Sequence, residues 1–204
     1  MQKIRPVIGH GKGQRVDMAN CFNPTIPYSK FRGEFLPHLY QPDVIQFVTL
    51  RLADSLPTSK LEELTELQQV LLSGNHLFNI YALDDYIHRI ERWLNQSHGC
   101  CMLQYDDISK VVEDALNFYD GIRYDLYDYV IMPNHLHFLI LPYEHPVKIM
   151  STFKSYTAKK IRRLTGYTDR VWQEDFFDRM IRSVIDFYDY VEYIKQNTEK
   201  CSWL

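Results

Sequence analysis

His135 and His137 sit two residues apart in the apolar run Tyr129-Val-Ile-Met-Pro-Asn-His-Leu-His-Phe-Leu-Ile-Leu141. The run is β-branched enough to be extended, and Pro133-Asn134 supplies a turn in its middle. Alternation then points His135 and His137 to one face and Leu136, Phe138 and Ile140 to the other. Two imidazoles side by side on a buried strand make half of a metal site. Two satisfied core histidines are the competing reading, because His-x-His spacing alone is a weak signal.

A second segment carries complementary chemistry. Ser183 to Asn197 has helical periodicity, with Val184, Phe187, Val191 and Ile194 recurring at helical steps. Ser183 is a suitable N-cap, with Asp186 as an imperfect capping-box partner. Tyr193 and Asn197 are four apart and share a face of that helix. His, His and Asn can hold a divalent cation, and a nearby tyrosine could attack a phosphate bound to it. Tyr156, Tyr188 and Tyr190 compete for that role, each with the ordinary alternative of a half-buried aromatic with a wet hydroxyl.

Four segments in order resemble the single-tyrosine transposases of the HUH class, and in detail the REP-associated tyrosine transposases. They are Phe47-Val-Thr-Leu-Arg-Leu-Ala-Asp-Ser-Leu-Pro57, Val130 to Ile140 with its His-hydrophobic-His motif, Phe153 to Lys160 followed by Val171 to Arg182, and Tyr193-Ile-Lys-Gln-Asn197. Together they span roughly Phe35 to Asn197. The resemblance implies that His135, His137 and Asn197 are metal ligands for Mg²⁺ or Mn²⁺. It implies that Tyr193 is the nucleophile on a phosphodiester of single-stranded DNA. The product would be a 5′-phosphotyrosine link and a free 3′-hydroxyl able to rejoin strands. The implied target is a hairpin-forming repeat, and the protein would act as a monomer or a homodimer. A free tyrosine is mostly protonated at neutral pH, and no dedicated general base is evident. In relatives the last asparagine is commonly followed by proline and a longer tail; here Thr198 follows and the sequence stops at Leu204.

The charge balance of 23 Lys and Arg against 26 Asp and Glu argues mildly against a phosphate-backbone partner. The distribution points the other way. Lys148, Lys154, Lys159, Lys160, Arg162 and Arg163 fall on one predicted helix, followed by Arg170, Arg179 and Arg182. Of these, Lys154, Lys159, Lys160, Arg162, Arg163, Arg179 and Arg182 are candidate DNA contacts, because they lie between the two halves of the proposed site in sequence. Trp172, Phe176 and Phe177 could stack bases, with core packing as the alternative.

These residues need a frame to hold them. Met1 to Lys30 reads as an irregular arm, and residues 31–204 as a single domain with a helical insertion at about 60–107. Val44 to Leu52 is the first expected strand. Lys60 to Leu72, Leu83 to Asn95 and Ile108 to Tyr119 are expected helices. Arg123 to Met132 and His135 to Pro142 should form a hairpin. Pro146 to Leu164 should be a helix, with proline at its start and Gly166 just past its end. A short extended segment within Val171 to Arg182 should lead into the tyrosine helix. The order implies an α+β fold, a ferredoxin-like or RRM-like antiparallel sheet with helices on one face. Cys21, Cys100, Cys101 and Cys201 form no Cys-x-x-Cys pair, which fits free thiols in a cytoplasmic protein. His88, His98, Cys100 and Cys101 make a poor zinc set, because adjacent cysteines have poor ligand geometry. No stretch reads as a membrane span or a signal peptide.

Besides the DNA strand transferase, two other functions fit these features. One is a domesticated, non-cleaving nucleic-acid binder on the same fold. The other is a metal hydrolase that uses water on a small phosphoester and does not need Tyr193.

Overall fold

The structure, a computed structural model, describes residues 7–10, 16–32, 37–73 and 88–201. In chain order the strands are β1 (Val7–His10), β2 (Ser29–Arg32), β3 (Pro37–Tyr40), β4 (Gln46–Arg51), β5 (Tyr124–Ile131), β6 (His135–Pro142) and β7 (Phe177–Met180). The helices are α1 (Thr58–Ser73), α2 (88–94), α3 (Asp106–Tyr119), α4 (Pro146–Thr165) and α5 (Val184–Cys201). The part of the expected Leu83–Asn95 helix before residue 88 lies outside the described residues.

An antiparallel sheet in the order β1-β5-β6-β4-β7 forms the centre, and β2 pairs with β3 in a separate hairpin. The histidine strand β6 is therefore central, bonded to β4 and β5. Nearly continuous burial along β4, β5 and β6 fits strands covered on both faces, whereas a half-exposed strand would alternate. Leu136, Phe138 and Ile140 of β6 pack with Val48, Leu50 and residues of α3 and α4, including Val112, Leu116, Ile149 and Phe153. On the other face Phe47, Val130 and Leu139 pack with Phe187 and Ile194 of α5. The fold is the expected α+β antiparallel class. The ferredoxin-like helix pair α3 and α4 covers one face, and α5 adds a layer on the face where the histidines point.

Local chemistry explains the element ends. Ser183 caps α5, accepting the Asp186 backbone N–H at 3.0 Å, while the Asp186 carboxylate accepts the Arg182 N–H at 2.8 Å. α4 opens on Pro146 and closes at Gly166, whose φ of 70° is the left-handed conformation that glycine adopts without a Cβ penalty. In β5 a register shift between Leu126 and Asp128 adds a residue. It puts Tyr124, Leu126, Tyr129 and Ile131 on one face, and turns Tyr127 and Val130 to the other.

The segment expected to be an irregular arm contributes more than that. Val7–His10 pairs with Ile131–Asp128 at the edge of the sheet. Edge pairing uses backbone groups alone, so a short glycine-flanked stretch with no clear alternation gives little sign of it. At Gly9 a Cβ would collide with the Tyr129 ring, so the strand can dock only where that side chain is absent.

His38 of β3 fastens the small hairpin to the main sheet. It is buried, with Nδ1 2.6 Å from Asp178 and Nε2 2.7 Å from Asp175, and its ring stacks on Phe176 at 4.1 Å. Burial alone would push its pKa down, but a carboxylate at each ring nitrogen outweighs it and raises the value to about 9. Burial also pushes the Asp178 carboxyl up, and the His38 bond opposes that shift. The two-carboxylate clamp decides the outcome in favour of a protonated His38.

A group with a raised folded pKa contributes its full stability below its unfolded value and loses it as pH rises through the folded one. Urea unfolding should therefore show His38-linked stability intact below about pH 6.5 and falling as pH rises through about 9. His38→Ala should cost about 3–5 kcal/mol and abolish that fall, because it strands buried carboxylates. A variant with the wild-type pH profile would contradict the clamp.

Candidate active site

β6 and α5 bring the predicted residues together across one sheet face. The β4–β6 register places Thr49 opposite His137 and Arg51 opposite His135. His135 and His137 are both buried, their ring centroids 4.7 Å apart. α5 packs over them, with the Tyr193 ring 5.3 Å from that of His137 at 70°. Phe47 stacks against His137 at 5.3 Å and Tyr190 at 4.2 Å, forming the apolar floor of the site.

Each imidazole is held through the same ring nitrogen. Asn134, in the hairpin turn, donates its amide to the His98 carbonyl at 3.1 Å and presents Oδ1 2.7 Å from His135 Nδ1. An amide oxygen can only accept, so His135 carries its proton on Nδ1 and its lone pair on Nε2. Burial drives the His135 pKa down to about 3, which keeps the ring neutral. Thr49 Oγ1 lies 2.8 Å from His137 Nδ1. With Nδ1 committed inside the fold in both rings, any metal ligation falls to Nε2.

Asn197 is fully buried one turn beyond Tyr193, its amide N–H donated to the Tyr193 carbonyl at 3.0 Å. Its Oδ1 is buried and has no hydrogen-bond partner among the described residues. Such an oxygen costs free energy unless something binds it. Two imidazole nitrogens and one unsatisfied carbonyl oxygen are a donor set that suits a divalent cation. Among the described residues no group of three or more His, Cys, Asp or Glu converges on a metal position, the His88–Cys101 set included.

Tyr193 is half-buried, and its hydroxyl donates to the Glu91 carboxylate of α2. Burial first, then the charge of Glu91 and its hydrogen bond, push the hydroxyl pKa well above that of an ordinary tyrosine, with Asn197 pulling the other way. Tyr193 and Glu91 open on a pocket of about 310 Å³ that Arg179 and His88 also line. A second cavity of about 210 Å³ is lined by Thr49 and Arg51 of β4, Leu61 and Leu64 of α1, and Ile90 and Leu94 of α2. Helices α1 and α2 therefore lie over the Thr49–Arg51 part of the histidine face.

The predicted DNA contacts divide into separate groups. Arg179 lies at the site, 3.9 Å from Asp186 and over the Tyr190 ring. Lys159, Lys160, Arg162 and Arg163 are exposed on α4, across the sheet from the histidines. Their nearness to the site is one of sequence only, because the apolar stripe of α4 turns to the opposite sheet face. Arg182 is exposed just before α5. Lys154 is instead used within the fold, its ammonium donating to the Gln173 carbonyl at 3.1 Å and to the Glu174 carbonyl. Trp172 corrects the stacking expectation. It is a core residue, 4% exposed, with its indole N–H donated to Thr157 Oγ1 at 2.9 Å. Phe176 is likewise committed to His38. Sequence reasoning missed Glu91, Thr49 and Asn134 as partners of the site.

Residues 100–197 match the family model described as Transposase IS200 like. The matched span holds both histidines, Tyr193 and Asn197. Among solved structures, one titled "Structure of the REP associates tyrosine transposase bound to a REP hairpin" is similar at 16% identity. The likeness covers 86% of this chain and 76% of that one, with a TM-score of 0.45. A search of curated proteins gave no match. Among the described residues no helix is long and apolar enough to cross a membrane.

Thr49→Val tests the geometry of the histidine pair. It keeps side-chain volume and removes the oxygen facing His137 Nδ1. Mn²⁺ affinity, read by titration of the free-ion electron paramagnetic resonance signal, should weaken about 10–100-fold. Unchanged affinity would mean that His137 is not a ligand oriented by Thr49.

Proposed function

We propose that the protein is a metal-dependent endonuclease and strand transferase for single-stranded DNA, working through a 5′-phosphotyrosine intermediate. The observation that carries this reading is the convergence of Tyr193 on the His135–His137 pair, with the unpartnered Asn197 Oδ1 one helical turn away. A divalent ion, Mg²⁺ or Mn²⁺, held by His135, His137 and Asn197 would polarise the scissile phosphate and neutralise developing charge.

The chain's own residues supply the rest. The Tyr193 oxygen attacks phosphorus and the bond to the 3′ oxygen breaks, which leaves a free 3′-hydroxyl. A later attack by a 3′-hydroxyl on the phosphotyrosine returns the tyrosine and joins strands. Packing of Tyr193 between α5 and the sheet holds the nucleophile in place, the orientation on which such a reaction depends. Arg179 offers a cation to a phosphate in the adjoining pocket. The exposed Lys159, Lys160, Arg162 and Arg163 of α4 lie too far round the fold for the scissile phosphate and would hold flanking DNA. The sequence resemblance favours hairpin-forming repeats as the substrate, engaged by a monomer or a homodimer.

Labelled single-stranded oligonucleotides carrying repeat hairpins, incubated with the protein and Mn²⁺ or Mg²⁺, should yield a denaturation-resistant protein–DNA adduct. Tyr193→Phe should abolish the adduct and leave DNA binding intact, and His135→Ala should abolish it by losing the metal. Tight, metal-independent binding with no adduct on any substrate would contradict the proposal in favour of a non-cleaving binder. Phosphoester hydrolysis that survives Tyr193→Phe would favour the hydrolase.

A further inference from the structure

The strand-transfer reading, on which this inference rests, leaves one proton unassigned. A phenol oxygen that bonds to phosphorus must shed its hydrogen, and the step is faster when a positioned acceptor takes it. The Tyr193 hydroxyl is already donated to a carboxylate oxygen of Glu91. Glu91 comes from α2, in the insertion, and lies 102 positions earlier in the chain. Both side chains open on the pocket that Arg179 lines, so a DNA phosphate entering there meets the hydroxyl and its acceptor together. Asp186 and Asp189 of α5 also line that pocket, but the Tyr193 hydroxyl is donated to Glu91, and Asp186 is engaged by the Arg182 backbone and faces Arg179.

We propose that Glu91 is the general base of strand cleavage and, in the reverse direction, the general acid of strand joining. In cleavage the Tyr193 oxygen–phosphorus bond forms as the hydroxyl proton passes to the Glu91 carboxylate. The bond from phosphorus to the 3′ oxygen breaks, and that oxygen takes a proton from solvent to become the free hydroxyl. In joining, the 3′-hydroxyl gives its proton to solvent as it attacks phosphorus. The tyrosine oxygen leaves with the proton held by Glu91. The insertion thus contributes a catalytic residue that the histidine strand and tyrosine helix lack.

Glu91→Gln separates this role from a structural one, because glutamine keeps the shape and an acceptor oxygen but cannot take up the proton. In single-turnover reactions at saturating oligonucleotide and Mn²⁺, its adduct formation should slow about 10²–10⁴-fold. Rejoining should slow comparably, with DNA affinity, Mn²⁺ affinity and melting temperature unchanged. Glu91→Ala should be equally slow, and added acetate should raise its rate with concentration, since the pocket has room for a small carboxylate. That dependence decides the matter even if the glutamine variant is less stable.

Adduct formation by Glu91→Gln at the wild-type rate or faster would overturn the proposal, as would a Glu91→Ala rate indifferent to acetate. Wild type that makes no adduct at all is a different failure, because it removes the strand-transfer reading itself.

Discussion

The pairing of β4 with β6 is the constraint on which the rest of the site depends. Because β6 is bonded on both edges, its register is set by two ladders at once. A slip of one residue would send both imidazoles into the α3–α4 core and bring Leu136 and Phe138 to the α5 face. The observed register instead sets Thr49 opposite His137, and Leu52 N–H donates to the Asn134 carbonyl at 2.9 Å, closing the turn next to His135. One ladder therefore orders the strand, the turn and both rings.

That face is costly to build. His135, His137, Asn134, Thr49 and Asn197 are all buried, where an unpaired polar group loses its water without compensation. Most of these groups recover the loss through short-range partners, Asn134 with His98 and His135, Thr49 with His137. Asn197 Oδ1 does not. A fold selected for stability alone would place leucine or isoleucine at such a position, as Ile194 does one turn earlier on the same helix. Polar groups gathered at the centre of a sheet, with one oxygen unsatisfied, are what local consistency gives up for a binding site.

Much of this was legible in the sequence because it rests on local patterns. The hairpin around Pro133-Asn134, the α4 limits at Pro146 and Gly166, and the Ser183 cap of α5 follow from turn and capping chemistry that needs no tertiary information. The shared face of Tyr193 and Asn197 follows from helical spacing. What escaped depends on contacts between distant segments. Glu91 reaches Tyr193 across 102 residues from a helix whose function the sequence does not reveal. Trp172 read equally well as a stacking surface or a core residue, and only the Thr157 partner decides. The basic residues of α4 are near the site in sequence and across the sheet in space. Strand β1 pairs through its backbone and carries little side-chain signal.

The proposed reaction needs His135, His137 and Asn197 to hold one cation beside Tyr193. Crystals grown with Mn²⁺ and measured for anomalous scattering would test it most directly. One strong peak is expected within about 2.3 Å of Nε2 of both histidines and Oδ1 of Asn197. A peak on other residues, or none at saturating Mn²⁺ with the Asn197 oxygen still unpartnered, would contradict it.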